Sequence, residues 1–187
     1  MAAKEYGADF IGFVFAPSRR RIEVDQAALI AAQVPDIGKV GVFVNQPLAE
    51  VKEIAEKCCL SYVQLHGEES PEYCCQVGVP VIKGVSVGDG FDAGEVNRYQ
   101  VEYVLLDTYM AGQSGGTGAS FDWQKAKEVI GDIKRPFFVA GGLNSGNVQE
   151  AIRLLHPEGV DVSGGVETQG EKDVEKIRLF IETVKHG

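Results

Sequence analysis

Seven short runs rich in Val, Ile and Phe recur along the chain: "DFIGFVF", "KVGVFVN", "YVQLHG", "VPVIKGVSV", "EYVLLDT", "PFFVAGG" and "GVDVSGGV". Between and after them lie stretches with apolar residues at three- and four-residue spacing, such as "VDQAALIAAQV", "PLAEVKEIAEKC", "FDWQKAKEVI", "SGNVQEAIRLL" and "DVEKIRLFIETVKH". Strand and helix periods alternate at about 25 residues per unit, which predicts parallel strands joined by crossover helices. Near-continuous apolar strands suit a sheet covered on its outer face. Polar residues gather instead at strand C-terminal ends: Asn45, His66, Asp107 and two Gly-Gly pairs. A (β/α)₈ barrel accounts for that placement, because its chemistry sits in the loops at the C-terminal ends of the strands. An open doubly wound sheet is the alternative. It usually carries its glycine fingerprint after the first strand, whereas here the glycine pairs follow the last two. Seven βα units are visible as a single domain over residues 1–187. The opening "MAAKEYGA" reads as the last turns of a helix, so a first strand and most of its helix are expected to be missing.

Composition excludes several classes. The 187 residues are 44% hydrophobic, enough for one substantial core, and the net charge of −9 carries no basic block beyond "SRRR", so no nucleic-acid partner is expected. No apolar stretch reaches the roughly 20 residues of a membrane span, and the N-terminus lacks a signal-peptide pattern, which predicts a cytoplasmic protein. The four cysteines form two adjacent pairs, Cys58-Cys59 and Cys74-Cys75. Zinc and redox motifs call for C-x-x-C spacing, so no metal site is expected, and these thiols read as small buried hydrophobes.

Two segments carry the signature of anion binding. In "VAGGLNSGNV" and "VDVSGGVETQGEKDV", Gly141-Gly142 and Ser163-Gly164-Gly165 let backbone N–H groups converge on a phosphate without Cβ obstruction. The competing reading is a pair of tight strand-to-helix turns. A third segment, "LLDTYMAGQSGGTG", ends an apolar run on Asp107 and opens into a glycine-rich loop. By itself Asp107 reads equally as a turn carboxylate or as a reacting group at a strand mouth.

Taken together, "GADFIGFVFAPSRRRI", "KVGVFVN", "VQLHGEE", "LLDTYMAGQSGGTGASFDW", "AGGLNSGNV" and "GVDVSGGVE" resemble phosphoribosylanthranilate isomerase of tryptophan biosynthesis over nearly the whole chain. The resemblance implies a (β/α)₈ barrel without a cofactor. It implies an Amadori rearrangement of N-(5-phosphoribosyl)anthranilate to its 1-deoxyribulose isomer. Asp107 would be the general acid, Arg20 would pair with the anthranilate carboxylate, and "GQSGGTG" would close over the bound substrate. His66 would line the pocket or serve as a hydrogen-bonded scaffold, whereas Arg19 and Arg21 read as a solvated basic turn. Trp123 reads as a packing anchor, and His156 and His186 as surface residues. Two departures stand out. The family's base is a cysteine in a strand reading K-x-C-G-I-T, a context none of the four cysteines occupies, and Gly164 stands where the family usually has a second serine. A chain without that strand is expected to expose sheet edges suited to self-association. A non-catalytic phosphate-binding barrel remnant is the alternative functional reading, and a ribulose-phosphate epimerase a weaker one.

Overall fold

Apolar β-branched runs become parallel strands here because each is too short and too uniformly apolar to present the one-sided stripe of a helix. A computed structural model describes residues 2–88, 90–107, 127–128 and 130–187. Its strands are β1 (Phe10–Val14), β2 (Gly38–Phe43), β3 (Tyr62–Leu65), β4 (Val81–Ser86), β5 (Tyr103–Asp107), β6 (Phe137–Ala140) and β7 (Gly159–Val160). Strand order follows the chain from β1 to β7. The helices are α1 (Ala2–Glu5), α2 (Val24–Gln33), α3 (Leu48–Lys57), α4 (Pro71–Gln76), α5 (Ala93–Val96), α6 (Val148–Leu155) and α7 (Val174–His186). All seven strands expected from the periodicity are present. "DAGEVNRY" yields only the four-residue α5, because Gly94 and Asn97 are weak helix formers. The opening "MAAKEYGA" does end a helical turn, α1. Among the described residues no helix is long and apolar enough to cross a membrane.

The chain divides into two compact units, one of Ala8–Gly84 with Arg98–Tyr103, the other of Met1–Gly7, Val85–Asn97 and Val104–Gly187. In the first, β1 pairs with β2 from Phe10↔Gly38 to Val14↔Val42, and β2 with β3 from Val40↔Tyr62 to Phe43↔Leu65. β3 in turn pairs with β4 from Val63↔Val81 to Leu65↔Lys83. Its core holds Phe43, Val51, Val63 and Leu65, each fully buried. Phe15 stacks on Phe43 with ring centroids 5.2 Å apart. At the opposite strand ends Phe10 meets Tyr62 edge-on at 5.4 Å. Gly38 is required there, since a side chain would run into the Phe10 ring. Ser70 caps α4 by accepting from the Tyr73 N–H at 3.3 Å, with Pro71 preset for the first helical position.

In the second unit β5 pairs with β6 from Val104↔Phe137 to Asp107↔Ala140, and β6 with β7 through Phe138↔Gly159 and Val139↔Val160. The stripe Val148, Ala151, Leu154 and Leu155 buries α6. A short 3₁₀ turn, Gly164–Val166, follows β7 and leads into a hairpin of β8 (Glu167–Thr168) and β9 (Glu171–Lys172). Its turn uses Gln169 and Gly170, both left-handed at φ 53° and 88°. Asp173 then caps α7, accepting from the Glu175 and Lys176 N–H groups at 3.0 and 3.2 Å.

Candidate functional site

Parallel strands end together, so the residues that follow them are gathered by topology. Asp107, half-buried, is the last residue of β5 and stands in register with Ala140, the last of β6. Its carbonyl accepts from the Val87 N–H at 2.9 Å. Gly141 and Gly142 come next after β6, with φ of 89° and 67°, a backbone that L side chains adopt only under strain. That turn is held by an asparagine clasp. Asn147 Nδ2 donates to the Gly142 carbonyl at 3.1 Å while its Oδ1 accepts from the Asn144 N–H at 2.8 Å, and Asn144 Oδ1 accepts from the Gly146 N–H at 2.8 Å.

The loop after β7 packs directly on this turn. A Cβ at Gly165 would collide with the Leu143 carbonyl oxygen and would sit 3.1 Å from Asn144 Cα, so the two glycine loops interlock backbone to backbone. Ser163 precedes the 3₁₀ turn, and its carbonyl accepts from Lys172 Nζ at 2.9 Å. Lys172 also pairs with Glu167 at 3.1 Å. Gly142 and Gly164 are solvent-exposed, and Gly141, Ser163 and Gly165 half-buried. Asp107, Gly141, Gly142, Ser163, Gly164 and Gly165 therefore belong to one unit and one set of strand ends. The local frame suits an anion: small residues, left-handed turns and a lysine held beside the second loop.

The first unit carries the other two expected residues. Arg20 is exposed in the turn after β1, where its N–H donates to Ser18 Oγ at 3.1 Å. Arg19 and Arg21 are exposed, as a solvated basic turn requires, and the turn is tied to β1, since Arg21 bridges Val14 in parallel and the Ile22 N–H donates to the Val14 carbonyl at 2.9 Å. His66 follows β3. Its N–H donates to the Phe43 carbonyl at 2.9 Å, and its ring Nδ1 lies 3.2 Å from Gln64 Nε2. The ring packs on Gly84, where a Cβ would come within 2.7 Å of it. Both expected roles of His66, pocket residue and scaffold, fit a ring so placed at a strand end.

Sequence reasoning passed over Lys83 and Glu69. Lys83, on β4, is 3% exposed and Glu69, in the loop after β3, is 5% exposed. Lys83 Nζ donates to Glu69 Oε2 at 3.0 Å, to the Gly67 carbonyl at 2.6 Å and to the Leu65 carbonyl at 3.2 Å. Glu69 Oε1 and Oε2 accept from the Asn45 and Gly67 N–H groups at 2.8 and 2.9 Å. Burial opposes the Glu69 charge, yet the Asn45 N–H and the Lys83 ammonium outweigh it and hold the carboxyl below the usual range. The signal in the sequence is a charge inside the apolar run "VPVIKGVSV".

Of the cysteines, Cys58 and Cys74 are buried but Cys59 and Cys75 are exposed, so the reading of all four as buried hydrophobes holds for one of each pair. Adjacent residues at a helix end point in different directions. Burial pushes the Cys74 thiol up to about 11, which makes it a poor nucleophile. His156 and His186 are on the surface as expected. Among the described residues no three His, Cys, Asp or Glu side chains form a metal-binding group. The "GQSGGTG" loop and Trp123 lie outside the described residues.

The family model described as N-(5'phosphoribosyl)anthranilate (PRA) isomerase matches residues 1–183. The N-(5'-phosphoribosyl)anthranilate isomerase of Streptococcus gordonii is 47% identical over 186 residues, 99% of this chain and 91% of that one. That of Desulforudis audaxviator is also 47% identical over 186 residues, covering 98% and 90%. The crystal structure of phosphoribosyl anthranilate isomerase from Thermotoga maritima superposes with a TM-score of 0.85 at 36% identity, over 98% of this chain and 91% of that one. A phosphoribosyl anthranilate isomerase in complex with reduced 1-(o-carboxyphenylamino)-1-deoxyribulose 5-phosphate matches at 0.82 and 34%, over 98% and 91%. The fold class is that of these (β/α)₈ barrels, with seven parallel strands among the described residues.

Proposed function

Because the chain belongs to the N-(5'-phosphoribosyl)anthranilate isomerase family, we infer that it converts N-(5-phosphoribosyl)anthranilate to 1-(2-carboxyphenylamino)-1-deoxyribulose 5-phosphate. The observation that carries the reading within the structure is the interlocked pair of glycine loops beside Asp107, at the ends of β5, β6 and β7. Phosphate sits on the backbone amides of Gly141, Gly142, Gly164 and Gly165, and the Ser163 hydroxyl supplies a further donor. Arg20 takes the anthranilate carboxylate in a bidentate pair.

Asp107, as the acid, protonates the furanose ring oxygen. The C1–O bond breaks as the nitrogen lone pair forms C1=N, giving an open-chain iminium. Transfer of the C2 proton to a water molecule, in the absence of the family's cysteine base from the matched motifs, then moves that electron pair into C1=C2 and neutralises the nitrogen. Ketonisation of the resulting enol yields the deoxyribulose product. The ring-opening proton transfer gains from a carboxyl placed at the reacting atom, Asp107.

The test follows substrate generated in solution by the loss of its fluorescence, and titrates the chain calorimetrically with the reduced product analogue. Turnover together with saturable binding of the analogue is the expected result. A chain that binds no analogue and consumes no substrate is not this isomerase.

A further inference from the structure

The buried polar cluster at the ends of β2, β3 and β4 exceeds what packing requires. A lysine and a glutamate buried to this degree cost several kcal/mol each to desolvate, and an apolar pair of the same size would usually serve stability as well. What the pair does achieve is geometric. Lys83 spends its three donors on the Leu65 carbonyl, the Gly67 carbonyl and Glu69, so it grips both sides of His66. Glu69 spends its two oxygens on the N–H groups of Asn45 and Gly67. Asn45, left-handed at φ 55°, returns its Oδ1 to the Glu68 N–H at 2.7 Å. Gly67 has no room for a side chain, because Asn45 occupies that space. Tyr99 adds a bond from its hydroxyl to the Glu69 carbonyl at 3.1 Å. The loop after β2 and the loop after β3 are thereby fastened to each other and to β4, with His66 at the centre.

We propose that Lys83 and Glu69, with Asn45, are positioning residues for the isomerase reaction, holding His66 in place at the strand-end rim to meet the non-phosphate part of the substrate. The proposal rests on the function inferred above. It assigns to His66 a contact with ligand, and to the buried pair the work of fixing that contact before ligand arrives.

The test compares two ligands on the full chain, inorganic phosphate and the reduced product analogue, and reads the imidazole resonances of His66. The chain has three histidines, so His66 is assigned by the signal lost in His66→Gln. Lys83→Met combined with Glu69→Gln removes both charges at once and leaves no unpaired ion. Asn45→Gly keeps the buried pair and removes only the side-chain bond to Glu68, at a backbone angle glycine adopts freely. Both are expected to leave phosphate affinity unchanged, to weaken the analogue about tenfold or more, as for loss of a hydrogen bond to a charged group, and to shift the His66 resonances. If the double variant does not fold, Asn45→Gly decides. A folded variant that keeps its analogue affinity or its His66 resonances within error overturns the positioning role. Failure of the unaltered chain to bind the analogue overturns the functional reading, and this inference with it.

Discussion

In the proposed function Asp107 reacts and Arg20 binds, and single substitutions separate the two duties. Asp107→Asn keeps the size of the side chain at the end of β5 and removes the transferable proton. It should bind the reduced product analogue nearly as well as the unaltered chain, while turnover falls by about 10²–10⁴. Near-normal turnover in steady-state assays would reject the acid role. Arg20→Ala should act on affinity. Binding of the analogue, which bears the carboxylate, should weaken, whereas a ribulose phosphate without the aromatic acid should bind as before. Equal losses for the two ligands in calorimetry would count against a carboxylate contact. Glu69 differs from both, because its charge is committed to the protein. Glu69→Gln leaves Lys83 buried without its counter-ion and should cost about 3–5 kcal/mol of stability at neutral pH. The folded carboxyl titrates below its ordinary value of 4.5, so its contribution is complete above that pH and is lost as pH falls through the lowered value. Urea midpoints of the two proteins should therefore run parallel from pH 7 to about pH 5 and converge below it. A gap that stays constant down to pH 3 would mean the charge of Glu69 is not what the fold depends on.

At the scale of elements, the proposed anion site is a junction between two loops. The turn after β6 is shaped by Gly141 and Gly142 and clasped by Asn144 and Asn147, and the turn after β7 reaches it through Gly165. Gly165→Ala places a methyl group against the Leu143 carbonyl, which is backbone and cannot rotate away. The loops must separate. Inorganic phosphate should then bind at least about tenfold more weakly, the effect of losing one charge-assisted N–H donor. Gly78→Ala serves as the control, since its surroundings are open although its φ of 83° strains an alanine. It should lower stability without touching phosphate affinity. Periodicity located these loops but could not show that they interlock. Glycine in a sequence reports freedom of φ, and its second use, leaving room for another backbone, becomes visible only when that backbone is in place.

Across the whole molecule, order is graded by how much of each element is buried. β2 and β3 are deeply enclosed, with Phe43, Val63 and Leu65 fully buried. The four-residue α1 and α5 bury one residue between them, Val96. Amide hydrogen exchange should follow that grading, with Val63 and Leu65 exchanging only through opening of the unit and the α1 and α5 amides exchanging fastest. Protection of α5 equal to that of β3 would show that burial does not set local stability here. The alternation of strand and helix periods, the seven strands, the loops that bear glycine, and membership of the isomerase family were all determined by the sequence alone. Each depends on neighbours within a few positions or on motifs read in order. Tertiary structure decided that Lys83 on β4 finds Glu69 fourteen positions earlier, that Gly165 makes room for Leu143, and that Cys58 and Cys74 are buried while Cys59 and Cys75 are not. The physical reason is common to all three: whether a charge, a glycine or a thiol belongs in an interior depends on what lies across from it, and the facing partner is set by strand register and helix packing, which local periodicity does not encode.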